Sequence, residues 1–229
     1  MVNSALVLWA FATSSVDSPF VPWSILGACS RIQNGRDTSQ SGTSTCIAVR
    51  DGFAYLLTAA HATPKGDARV YDLFTRNSHP LPSRSLRRGD VIYRSATRDL
   101  ALVKIAFSGD AIRVVRLATS DDRPHRFPFA AVSVGCPGGL PPRGRTETII
   151  GKSLVRRSDG TAAFFWQTAN PPVGGMSGGP LLDRSGRLIG VCVASQDGKG
   201  YFAHTDEILV ALKEAGLGWI VNSAKPNRN

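Results

Sequence analysis

The sequence predicts an all-β chain in two halves, closed by one C-terminal α-helix. Three observations carry this. The 23 Gly and 14 Pro are scattered without a period, short apolar runs alternate with turn residues, and only one stretch near the end has helical spacing. A chain of 229 residues with 42% hydrophobic and 19% charged content can bury a sizeable core and is not the composition of a disordered polymer.

Residues 30–34, 45–50 and 53–58 read as strands. In "CIAVRDGFAYLLTAA", Asp51-Gly52 separates two apolar runs, a strong hairpin signal. Further strands are expected at 68–74, 90–94, 100–106 and 112–117. The polar, Pro-bearing stretch "ATSDDRPHRFP" (118–128) separates an N-terminal half, 28–118, from a C-terminal half, 119–204. The second half opens with "FAAVSVGCPGG" and continues with strands at 146–155, 162–168, 180–183, 187–195 and 200–204. The "DRSG" turn lies at 183–186. The helix is expected over 205–216, with Thr205 as N-cap, Asp206 and Glu207 in the first turn, and Ile208, Leu209, Ala211 and Leu212 on the apolar face. Gly216 would be its stop. Residues 217–229 read as a flexible tail.

Charge and cysteines narrow the function classes. The formal net charge is +10 and the pI about 10, a field that attracts anionic partners. No basic helix, aromatic-studded basic strand or zinc-finger spacing accompanies it, which argues against nucleic acid as the partner and for a solvated basic surface. Cys29, Cys46, Cys136 and Cys192 form no CxxC pair, so no structural metal site is expected. Cys46 and Cys192 sit inside apolar runs, where buried free thiols are the default; disulfides are not deducible. Residues 1–18 hold a signal-like apolar segment from Ala5 to Ala12, too short for a bilayer-spanning helix and without a nearby Lys or Arg. A secreted or periplasmic location and a cytoplasmic one stand as alternatives.

The chemistry centres on "GGMSGGPLL" (174–182), where four glycines surround Ser177. A plain turn needs one or two. More are needed where a backbone folds tightly and aims its own N–H groups at a ligand. A serine becomes a nucleophile when a base takes its proton and a third group holds that base. His61 ends the run "LLTAAHAT", and Asp99 immediately precedes the apolar run "LALVKI".

These three motifs together, "TAAH", "DLALVKI" and "GMSGGPL", resemble the trypsin/chymotrypsin-type serine proteases, and among them the bacterial high-temperature-requirement (Deg-type) proteases. The resemblance runs from about Gly42 to about Thr205, in the family's order His, Asp, Ser. It implies two six-stranded antiparallel β-barrels followed by the C-terminal helix. It implies a serine endopeptidase acting on protein or peptide substrates, without metal or organic cofactor. Ser177 takes the place of the nucleophile, His61 of the general base and Asp99 of the group that orients it. The N–H groups of Gly175 and Ser177 take the place of the oxyanion hole.

The sequence also departs from the pattern. Digestive enzymes of this type have Cys after the catalytic His and Asp before the nucleophile. Here those positions are Ala62 and Met176, so neither that disulfide nor activation through an Asp–N-terminus ion pair is expected. About 25 residues follow the last expected strand, too few for the peptide-binding domain that high-temperature-requirement proteases usually carry. By resemblance the substrate pocket draws on residues 169–173, 193–196 and 200–203, with Pro172, Val193, Ala194, Ser195 and Ala203 as its lining. That lining is small and apolar, which favours cleavage after small or medium apolar residues. For His204 a structural or surface role is expected over substrate reading, and its role stays open. A non-catalytic peptide-binding module on the same fold is the competing function. Oligomeric state is not legible.

Overall fold

The computed structural model describes residues 21–34, 37–63, 69–119 and 126–222. The signal-like segment 1–18 and His125 lie outside the described residues. A four-residue helix, α1 (Trp23–Leu26), leads into the N-terminal half. That half contains β1 (Cys29–Asn34), β2 (Asp37–Arg50), β3 (Phe53–Ala59), β4 (Arg69–Leu73), β5 (Arg84–Arg87), β6 (Asp90–Ser95) and β7 (Leu100–Ala106). The C-terminal half contains β8 (Phe129–Gly135), β9 (Arg143–Arg156), β10 (Ala162–Thr168), β11 (Pro180–Leu182), β12 (Leu188–Gln196) and β13 (Lys199–His204). Helices α2 (Thr205–Glu214) and α3 (Trp219–Asn222) follow.

All pairings between these strands are antiparallel, as the short turn-linked runs imply. The C-terminal half closes into a six-stranded barrel in the order β10-β13-β12-β11-β8-β9. The N-terminal half is a barrel-like sheet of seven strands, β5-β4-β1-β2-β3-β7-β6, one more than the expected six. The additional strand is β5, whose sequence RSLR buries only Leu86 and therefore carries almost no apolar signal. Conversely, 112–117 is not a strand. Ile112, Val115 and Leu117 are buried, but their backbone makes scattered bonds, Arg113 to Gly27 and Val115 to Cys46, rather than a ladder. A buried crossing between the halves shows the same apolar spacing as a strand.

The hairpin turns follow their residues. Asp51 and Gly52 have φ of 52° and 77°, the left-handed pair that matches strand twist. At 183–186 the Asp183 carboxylate accepts from the backbone N–H groups of Ser185 and Arg187, an Asx-type lock. Strand β2 starts earlier than its apolar run. Its Thr43, Ser44 and Thr45 are fully buried, and each hydroxyl is hydrogen-bonded, so polar residues occupy the core without penalty.

Two cores result. One fills the N-terminal sheet and extends under α2 to Ile208, Ala211 and Leu212. The other lies inside the closed barrel around Trp166, Leu181, Phe202 and Met176. The helix N-cap is His204 rather than Thr205: the His204 imidazole accepts from Asp206 N–H at 3.1 Å, while the Thr205 hydroxyl donates to Ile189 O at 2.7 Å. His204 is buried and its ring centroid lies 4.1 Å from that of Trp166. Of the expected tail, 217–229, residues 223–229 lie outside the described residues. Leu217 and Ile220 are buried, and Trp219 packs edge-on against Tyr55 under the Arg50 guanidinium. Apolar contact fixes 217–222 where polarity and position suggested fraying.

Candidate active site

Strand β3 ends in a single 3₁₀ turn, Ala60–Ala62, which carries His61. Asp99 holds this turn in three ways. Its carbonyl accepts from Ala60 N–H at 3.1 Å, its Oδ1 from His61 N–H at 3.0 Å, and its Oδ2 lies 2.6 Å from His61 Nδ1. Asp99 has φ 49°, a left-handed conformation that Asp tolerates better than most residues and that turns its carboxylate back toward the histidine. An ionised carboxylate only accepts, so Nδ1 carries the proton and Nε2 is the free acceptor. The His61 side chain is 50% exposed and that of Asp99 19%. The hydrogen bond to Asp99 raises the His61 pKa above its ordinary value; burial and the nearby Arg94 guanidinium oppose that rise, and the Asp99 charge adds to it.

The Ser177 turn comes from the other half, between β10 and β11. Its carbonyls are all engaged. Gly174 O accepts from Gly138 N–H, Gly175 O from the Thr43 hydroxyl, Met176 O from Gly179 N–H, and Ser177 O from Thr43 N–H, at 2.7 to 2.9 Å. The donors divide differently. Met176 N–H reaches Val173 O and Gly178 N–H reaches Cys192 O. Among the described residues, the N–H groups of Gly175 and Ser177 donate to no protein atom. Gly175 and Gly178 both have φ 88°, which favours glycine. A Cβ on Gly175 would overlap Cys136 O, and one on Gly178 would overlap Thr43 O and Thr58 Oγ1.

These contacts bring the halves together at the site. A Cβ placed on Gly178 would lie 2.9 Å from Ala59 N, two residues before His61. One placed on Gly42 would lie 2.9 Å from Ala62 Cβ and 3.4 Å from Ser177 O. Among the described residues Ser177 Oγ makes no hydrogen bond to His61. A serine–histidine contact of this kind commonly shortens only with substrate in place. Met176 is buried in the barrel core beside Gly135, where an ion-pairing Asp would have needed a charged partner.

The pocket residues fall into two groups. Ala194 and Ser195 are exposed and Pro172 is half-buried, on the segments flanking the serine turn. Val193 lies at a bulge and is buried, and Ala203 is fully buried; both belong to the core that reaches α2. On β13 the alternation gives the barrel interior to Phe202 instead. At Gly200 a Cβ would overlap Thr168 Oγ1 and lie 2.9 Å from Pro172 Cδ, so the two walls approach closely there.

Thr43 and the Cys136–Gly139 turn escaped sequence reading. The glycines of "CPGG" were the available signal for the turn; a single Thr in a polar run gave none. The four cysteines are free and buried. Burial raises all their pKa values, to about 12 for Cys46 and Cys136, so none is a competing nucleophile.

Comparison with known proteins agrees with this architecture. The family described as "Trypsin-like peptidase domain" matches residues 42–191. No curated protein matches the sequence. Among solved structures, Rv3671c from M. tuberculosis H37Rv, in an inactive form with a serine-to-alanine substitution, superposes with TM-score 0.69 at 16% identity, covering 93% of this chain and 97% of that one. The HtrA-type protease AlgW, with a tripeptide, gives TM-score 0.66 at 20% identity, covering 86% and 64%. The serine endoprotease from Yersinia pestis gives 0.60 at 18% identity, covering 88% and 65%.

Proposed function

Because this chain belongs to the trypsin-like peptidase domain family and is a serine protease by that membership, we propose that it cuts peptide bonds through an acyl-enzyme on Ser177. The observation that carries the proposal is the 2.6 Å contact of His61 Nδ1 with Asp99, on the sheet whose Thr43 also holds the Ser177 turn. His61 Nε2 takes the proton of Ser177 Oγ as the oxygen adds to the scissile carbonyl. The negative oxygen that forms is received by the N–H groups of Gly175 and Ser177, worth roughly 10²–10³ in turnover per donor in comparable sites. His61 then gives its proton to the leaving amine, and water repeats the sequence to release the acid. Asp99 keeps the proton on Nδ1 and stabilises the imidazolium.

The protein substrate binds with a small or medium apolar residue before the cut. The small side chains at Ala194 and Ser195 and the close approach of Pro172 to Gly200 support this reading, and segments 169–173, 193–196 and 200–203 contain no Asp or Glu to favour Lys or Arg. A fluorophosphonate probe tests the chemistry: it labels the folded protein at Ser177, and Ser177→Ala abolishes labelling. Absence of labelling on folded protein would favour the peptide-binding module. A peptide-library cleavage profile tests the preference, and strong selection of Glu, Lys or Arg would overturn it.

A further inference from the structure

We propose that Thr43 is a positioning residue for the oxyanion site, acting through its hydroxyl; this rests on the reading of Gly175 and Ser177 given above. Thr43 is fully buried on β2, in the half of the molecule that does not carry the serine. Its backbone N–H donates to Ser177 O at 2.8 Å. Its hydroxyl donates its one proton to Gly175 O at 2.7 Å and accepts from Cys136 N–H at 2.9 Å, a complete set of partners for a buried hydroxyl in this setting. Its own carbonyl accepts from Thr58 Oγ1 at 2.6 Å.

The position of these bonds matters more than their number. The N–H of Gly175 belongs to the 174–175 peptide, whose carbonyl is held by Gly138 N–H on the Cys136–Gly139 turn. Glycines at 138, 139, 174 and 175 leave both turns intrinsically loose. The Thr43 hydroxyl grips both, through Cys136 N–H on one side and Gly175 O on the other. It thereby fixes the peptide plane next to the one that aims the Gly175 N–H, while the Thr43 backbone fixes the plane after Ser177 N–H. Preorganised donors act because they need no reorientation as charge develops. A loosened turn would bind substrate as before and stabilise the transition state less.

The test compares Thr43→Val, which keeps the shape and removes the hydroxyl, with Thr43→Ser, which keeps the hydroxyl. Thr43→Val lowers kcat by about 10- to 100-fold, a fraction of the loss of a whole donor, with KM little changed. It weakens a peptide boronic acid inhibitor by a similar factor. Thr43→Ser restores both. If the valine variant does not fold, Thr43→Ala gives the same comparison. Unchanged kcat in a folded hydroxyl-less variant, or a serine variant as slow as valine, overturns the proposal. If the parent protein itself takes no fluorophosphonate at Ser177, the proposed function fails first, which separates the two outcomes.

Discussion

The two halves of the site are built on opposite terms. His61 and Asp99 sit on the rim of the N-terminal sheet, with the imidazole half open to solvent and held on one side only. The Ser177 turn is locked: each carbonyl from 174 to 177 has a partner, and two of the four bonds come from Thr43 on the other sheet. In the proposed mechanism this contrast matches what each part has to do. A base has to lose and regain a proton and shift slightly toward the serine and then toward the leaving group. Amides that receive a developing charge lose value with every degree of freedom they keep.

The largest expected effect lies at the shared point of the two halves. Ser177→Ala should reduce kcat by about 10⁵–10⁶-fold, by analogy with nucleophile removal in other serine proteases, with the protein still folded by circular dichroism. Next, Asp99→Asn should cost about 10⁴-fold in turnover, because the amide favours the wrong imidazole tautomer. A loss far smaller than this would mean that the backbone contacts of residue 99 alone position the histidine.

The pH profile sharpens the comparison at the movable side. The base works neutral, so kcat/KM should rise with pH through the His61 titration. The hydrogen bond that His61 donates to Asp99 places that midpoint above the ordinary histidine value of about 6.5. The linkage has the opposite sense for stability. A raised folded pKa contributes stability that is fully present below the ordinary value and fades as pH rises through the raised one. The form that favours the fold is thus the inactive one. A midpoint at or below that of a free imidazole would break this account.

Smaller effects concern the frame. Arg98, next to Asp99, donates to Glu207 Oε2 at 2.9 Å and to the Tyr93 hydroxyl at 3.1 Å; Tyr93 in turn donates to Glu214 at 2.8 Å. Arg98→Met leaves the largely buried Glu207 charge without its cation. It should cost about 2 kcal/mol of stability, less than a fully buried pair because Arg98 is partly solvated, read as a fall in Tm. Smallest of all, a thiol reagent should leave activity of the native protein unchanged and titrate the cysteines only after unfolding, since burial raises all four pKa values.

The sequence was most informative where one residue type does a job alone. Asp51-Gly52 announces its hairpin, the glycines around Ser177 announce an unusual turn, and the α2 face announces its burial. It was least informative where a role depends on a distant partner. Thr43 looks like any polar residue until Gly175 and Cys136 arrive, and Arg98 like any surface charge until α2 docks. Strand β5 has one apolar residue to signal it, and the crossing at 112–117 imitates a strand because burial on both sides gives the same spacing. Resemblance puts Val193 and Ala203 in the pocket lining, and nothing in the sequence shows that a bulge and the pleat bury both in the core that reaches α2.

The Arg98 bridge also bears on the order of assembly. Its anionic ends, Glu207 and Glu214, belong to a helix made after every strand of both sheets, and Glu207 additionally receives the amide of Phe164 on the closed barrel. During synthesis the segment bearing Asp99 emerges long before its clamp exists. The link that Arg98 and Phe164 make to that helix therefore forms only once residues 205–214 are available.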